Sequence, residues 1–262
     1  MTTGNRFPTL KEDRDETDFP MMKEGRKNES HHDITNPFFA ELVRGIEQAI
    51  RNEKYNMVLC NTSHRFQKEM EYLEMMRDKH VDGIIFMTSK VTEDHRKFFR
   101  KSQLPVTFIN RRADDLHASS VDIDNYQAAF DMTHFFLQRG HRRVAIIRAP
   151  LTDRTSGFDR FRGYQDAMRQ FGIEPDSTLI MRSPFKISNA YHAVNQFLDK
   201  NPPVTAIFAT STTVHQPIEK MGNQATYTLI RLIKGEQTAI GNQILPYEII
   251  HRQSTGVKNI QR

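Results

Sequence analysis

Asp122 and Asp124, two apart at the end of an apolar run, the tract "HHD" at 31–33, and the single cysteine, Cys60, are the residues that invite a catalytic or metal-binding reading. None has the company such chemistry needs. Paired carboxylates cleave glycosides from opposite sides of a sugar. Residues two apart on a strand instead share one face, and at a helix entrance a carboxylate more simply caps the helix. Histidines in a polar tract are solvated, and Cys60, closing "MVLC", reads as a buried, inert thiol. The chain has no glycine-rich phosphate loop, no metal-ligand spacing and no nucleophile motif with a base. No enzyme activity, metal or cofactor is therefore expected. The remaining chemistry is that of binding, by aromatic rings, amides, guanidinium groups and hydroxyls.

Such groups need a frame, and the hydrophobic pattern supplies one. From Asp33 onward, short apolar runs alternate with helical patterns. Asn36 is placed to cap a first helix and Pro37 to open it, with Phe39, Leu42, Val43, Ile46 and Ile50 on one face. Further helices are expected over 68–79, 93–102, 126–140, 158–172 and 188–201. Strands are expected at 55–61 ("YNMVLCN"), 81–88, 104–111, 119–124, 142–150, 177–184 and 204–211. This alternation implies βαβ units, parallel sheets and an α/β fold. Open sheets of this kind bind ligands beyond the carboxyl ends of their strands. The polar and aromatic residues at those ends are Asn36 and Phe38, Asn61 and Ser63, Thr88 and Ser89, Asn110 and Arg111, Asp124, Asp159 and Arg160, and Thr210 and Ser211.

The pattern breaks twice. The first helix has no strand before it. Near 208–222 a strand end runs straight into "TTV", where a βαβ crossover takes about 30 residues and parallel neighbours cannot be joined directly. Either the chain reverses direction there or a unit is missing.

At 262 residues the chain is long enough for one large or two medium domains. Its formal charge of +5 is spread along the chain, so it permits nucleic-acid contact without demonstrating it. No apolar run reaches membrane-helix length, no secretory h-region is seen, and one cysteine suits a reducing cytoplasm. Residues 1–32, rich in both charge signs and without periodicity, are expected to be a disordered tail.

The motifs "DITNPFFAELVRGIEQA", "VDGIIF", "LPVTFINR", "VDIDNYQAAFDMTHFFLQRGHRRVAII", "RFRGYQDAM", "TAIFATS", "TTVHQPIEKMG" and "HRQSTG" stand in order over most of residues 33–256. Together they resemble the effector-binding region of LacI/GalR-family transcriptional regulators, which have the type I periplasmic-binding-protein fold. The resemblance implies two α/β subdomains around a ligand cleft: 33–150, then 151–211 (incomplete), with 212–256 as crossover, helix and C-terminal strand and 257–262 as a tail. It implies a sugar or related small metabolite as effector, with Phe38 or Phe39 stacking on it and Asn36, Asn110, Arg111, Arg160, Ser211 and Gln216 as polar contacts. It also implies a homodimer, through the first helix and the segment from Lys68 to Arg77, and operator DNA as partner of the intact regulator. The helix-turn-helix head, the first strand and one internal βαβ segment of the family pattern are not found. Operator binding is therefore not expected of this chain alone, and a truncated or mis-assembled product is one expectation. A sugar-binding transport receptor of the same fold, or a sensor that pairs with an intact relative, are the alternatives.

Overall fold

The alternation of strands and helices builds two parallel sheets. The computed structural model describes residues 37–62, 65–112, 116, 118–183, 187–199, 204–211, 214–236 and 241–250. In the first sheet β1 (Ile84–Phe86), β2 (Val106–Ile109), β3 (Ser119–Ile123) and β8 (Asn242–Leu245) lie side by side in that order, each parallel to its neighbour. In the second, β4 (Val144–Arg148) is central, between β5 (Ile180–Arg182) and β6 (Ala206–Ala209). Every residue of β2 and β3 is buried, which is why these strands read as continuous runs and not as alternating patterns.

The helices are α1 (Pro37–Glu53), α2 (Phe66–Asp78), α3 (Glu93–Ser102), α4 (Asn125–Gln138), α5 (Arg160–Gln170), α6 (Ile187–Asp199) and α7 (Ile218–Ile233). A six-residue π-helical turn, Arg154–Asp159, leads into α5. Local signals explain several boundaries. Asp124 Oδ1 accepts from Gln127 N at 2.9 Å and caps α4, the role expected of a strand-end carboxylate. Thr92 and His95 form a reciprocal capping box on α3. The His95 ring then continues inward, with Nε2 3.2 Å from the buried Glu69 of α2.

The chain divides differently from the expected boundary at 150. β4 is the centre of the second sheet, and α4 packs mainly on α5. The first lobe's leading segment therefore ends at β3, and the crossing falls near Asp124. A helix that crosses to the other sheet has the same local pattern as one that stays, so the sequence does not locate the crossing. After β6 the chain returns. β7 (Val214–His215) pairs antiparallel with β9 (Glu248–Ile249) and not with β6, so no parallel crossover is required at the break near 212. α7 then packs on α1 and across β1, β2 and β3, and β8 closes the edge of the first sheet beside β3.

The strand expected at 55–61 is absent. Residues 55–62 have no regular structure, and Val58 and Leu59 are exposed. A cavity of about 340 Å³ separates this segment from β1 beneath α1. An apolar run becomes a strand only when a neighbour takes its backbone hydrogen bonds, and no described strand lies beside this one. Cys60, half-buried in the segment, has its thiol pKa raised by that burial.

A core containing Leu42, Ile109, Val121, Met132, Ile146, Tyr164, Phe208 and Met221 runs through both lobes. α1 and α7 cross in close contact within it, at Gly45 and Gly222. A methyl group at Gly45 would overlap the Glu219 carbonyl oxygen, and one at Gly222 the Leu42 carbonyl oxygen.

Candidate ligand-binding site

The carboxyl ends of the strands converge where the lobes meet. At the end of β2, Asn110 adopts a left-handed backbone (φ 55°), a conformation asparagine tolerates better than most residues. The following residue, Arg111, is buried. Its Nε donates to the Thr88 carbonyl at 3.2 Å, and its Nη2 lies 3.4 Å from Asp153 Oδ1. Asp153 belongs to the second lobe and caps the π-helical turn by accepting from Ser156 N at 2.9 Å. Thr155 Oγ1 lies 3.0 Å from the Asn110 carbonyl and 3.3 Å from Asp153 Oδ1, and its single proton serves one of them at a time. Arg111–Asp153 and Thr155–Asn110 thus tie the two lobes together.

A second network lies beside the first. Arg160, at the start of α5, is 3% exposed. Its Nε donates to Asn125 Oδ1 at 2.7 Å and its Nη1 to the Thr210 carbonyl. Asn125 Nδ2 in turn donates to Asp122 Oδ1 at 2.8 Å, and the Ile123 amide donates to the same oxygen at 2.7 Å. Asp122 and Arg160 therefore communicate through Asn125. Burial raises the Asp122 pKa to about 6, against the opposing pull of the Ile123 amide, Arg160, Arg111 and Asn125. Burial likewise lowers the Arg160 pKa, with Asp122 and Asp153 opposing it.

The sign of the resulting pH dependence follows. The folded state holds the Asp122 proton more tightly than the unfolded chain does. This contribution is therefore fully present below the unfolded value near 3.8 and is lost as pH rises to about 6. Comparing pH 4 with pH 7, Asp122 should lower the unfolding free energy by about 2 kcal/mol. Urea titrations at the two pH values should show this change in the wild type, and Asp122→Asn should lack it. An equal change in both proteins would place the titration elsewhere.

Asn110 Oδ1, Arg111 Nη1, Arg148 Nε and Gln216 Oε1 are buried and have no hydrogen-bond partner among the described residues. The first three side chains extend from the ends of β2 and β4, and Gln216 follows β7 directly. Asn110, Arg111 and Arg160 thus join one polar region, while Ser211 is exposed beside Thr210. Phe38 and Phe39 meet edge to face, with centroids 5.3 Å apart, on the first turn of α1. Phe38 packs against the core and Phe39 lines the cavity beneath α1. Asn36 and Ser63 lie outside the described residues. Asp159 forms an ion pair with Arg154 at 3.3 Å. Sequence reasoning missed the contributions of Asn125, Asp153, Thr155 and Arg148. The one local signal was the D-x-x-N spacing of Asp122 and Asn125 across a strand–helix junction.

Two lobes with polar groups gathered at their strand ends define a small-molecule binding module. Residues 31–238 match the family described as periplasmic binding proteins and sugar binding domain of the LacI family, and the chain belongs to that family. The HTH-type transcriptional regulator RegA of Clostridium saccharobutylicum is 29% identical over 263 aligned positions, covering 85% of this chain and 79% of that protein. Catabolite control protein A of Priestia megaterium is 35% identical over 176 positions, 67% of this chain and 53% of that protein. The solved structure of CcpA of Lactococcus lactis has a TM-score of 0.74 at 27% identity, covering 86% of this chain and 96% of that one. A CelR–cellobiose complex shares the fold, with a TM-score of 0.74 at 24% identity over 83% of this chain and 79% of that one. The chain is thus a LacI-type transcriptional regulator, seen in its effector-binding region. The relatives are transcriptional regulators, not enzymes. No helix among the described residues is long and apolar enough to cross a membrane.

Proposed function

We propose that the two lobes close around a sugar or related polar metabolite, and that closure alters how two chains, paired in the cytoplasm, present DNA-binding heads. The observation that carries this reading is a set of buried atoms without partners among the described residues: Asn110 Oδ1 and Arg111 Nη1 where the lobes meet, and Gln216 Oε1 between β7 and α7, where the chain returns to the first lobe. A buried polar group without a partner costs roughly 1–3 kcal/mol, and a ligand hydroxyl that satisfies it recovers much of that. Arg160 and Ser211 are the further polar contacts, Asn36 another, and Phe38 or Phe39 the stacking surface. A ligand that meets these groups only in one arrangement of the lobes shifts the population toward that arrangement. The bound cellobiose and ribose named for two solved relatives support a sugar as the ligand class. Pairing would use α1 and α2.

Calorimetric titration against a panel of mono- and disaccharides and sugar phosphates that includes ribose and cellobiose tests the reading. At least one sugar is expected to bind, and Gln216→Leu should weaken it about tenfold, the equivalent of one lost hydrogen bond. Gln216→Leu should not lower the stability of the sugar-free protein, because it removes a buried oxygen that has no partner among the described residues. Failure of every sugar to bind, or equal affinity in wild type and variant, would overturn it.

A further inference from the structure

Arg111 and Arg148 at strand ends and Arg160 at the start of α5 are buried, and two of the three have an acid close by. Arg111 faces Asp153 at 3.4 Å, and Arg160 feels Asp122 and Asp153. Arg148, the last residue of β4, is 5% exposed and has no carboxylate partner among the described residues. Its Nη1 donates to the Ala149 carbonyl at 3.0 Å, its guanidinium lies 4.9 Å from the centre of the Phe161 ring, and its Nε has no acceptor among the described residues. The one charge that shifts its pKa is of the same sign. Arg148 and Arg182 are paired across β4 and β5, so their side chains leave the sheet on the same face. Burial and Arg182 together lower the Arg148 pKa.

Two guanidinium groups side by side, one buried and without an acid, are costly for a fold to hold unless something negative joins them. The place is a strand-end position adjoining the site already described. The Ile147 carbonyl accepts from Thr210 N at 3.1 Å, and the Thr210 carbonyl accepts from Arg160. Arg148 is therefore one residue beyond the strand pair on which Arg160 closes. Ser183, also buried, follows Arg182 and donates its amide to the Arg148 carbonyl at 3.1 Å.

We propose that Arg148 and Arg182 form an anion-binding point at the rim of the site, and that the effector is a sugar or related metabolite bearing a phosphate or carboxylate group. This rests on the ligand-binding reading above and narrows it. Guanidinium groups suit either anion, since both accept forked hydrogen bonds. The polar groups near Arg160 would hold the neutral hydroxyls, and the Arg148–Arg182 pair the charge.

Thermal unfolding of the full chain in sodium phosphate, sodium acetate or sodium chloride, at equal ionic strength, tests the proposal. Phosphate or acetate should raise Tm above its value in chloride in a saturable way. A rise in phosphate alone assigns a phosphate group, and an equal rise in acetate a carboxylate. Arg148→Met should abolish the rise, and Arg182→Ala, an exposed position, should weaken the apparent anion affinity about tenfold. In chloride alone Arg148→Met should unfold at a higher temperature than the wild type, because an unmatched buried charge has been removed. Equal anion responses in wild type and both variants, the absence of any response in the wild type, or a lowered Tm of Arg148→Met in chloride would each overturn the proposal. If neither neutral sugars nor sugar phosphates bind while the anion response depends on Arg148, the ligand-binding reading above is at fault and the anion point stands.

Discussion

Replacing Arg160 with methionine is expected to lower the unfolding free energy by about 3–5 kcal/mol, the range found when one partner of a buried charged network is removed. The side chain is 3% exposed and joins Asn125 on the first turn of α4 to the Thr210 carbonyl beyond β6. Methionine fills a similar volume, so cavity formation contributes little. The loss comes from what remains behind: an amide oxygen on Asn125, the Thr210 carbonyl, and an Asp122 carboxylate without its strongest cationic neighbour. Lysine should restore only part of the loss, because one ammonium cannot reproduce two directed donors from a planar fork. Urea unfolding of the three proteins at pH 7 measures this. A loss under 1 kcal/mol for Arg160→Met would mean that water already satisfies these groups.

Gly222→Leu is the second large effect, expected to cost about 3 kcal/mol, at the upper end of overpacking penalties. Even the first carbon of a side chain here meets the Leu42 carbonyl, and backbone cannot rotate away as a side chain can. The helices must separate, and with them the contacts that α7 makes across β1, β2 and β3. Gly172→Ala provides the comparison. Gly172 has φ 70° with nothing within 4 Å of an added methyl group, so only backbone strain of about 1 kcal/mol applies. Chemical denaturation that ranked the two substitutions equally would show that the α1–α7 crossing relaxes without penalty.

The alternation of runs such as "RRVAII" and "VTAIFAT" with amphipathic helices was legible because each element carries its own period. What failed depended on distant partners. "YNMVLCN" has the composition of a strand, yet strand formation is decided by a neighbour's hydrogen bonds. The crossing near Asp124 was invisible because α4 chooses between two sheets by packing, not by pattern. The site was legible in part. Asn110, Arg111 and Arg160 stood out by their position past strand ends, and the structure joins them into neighbouring networks. Asp122 and Asp124 looked equivalent, two apart on one run. One is 2% exposed with a raised pKa and the other is an exposed cap, because the first lies within the sheet and the second starts a helix. Arg148 and Arg182 are 34 positions apart in the sequence, and only the β4–β5 register makes them neighbours.

The return of the chain to its first lobe has a consequence for synthesis. α1 emerges from the ribosome long before α7, and β3 before β8, although each pair is in contact in the finished molecule. The second lobe's strands and helices lie between them as one uninterrupted stretch, from Asn125 to Ala209. Domains fold as units during translation, and contacts between distant segments form slowly. The second lobe is therefore complete first, while the first lobe waits with the apolar faces of β1, β2 and β3 uncovered. Nascent chains halted before Ile218 are the ones that should occupy chaperones.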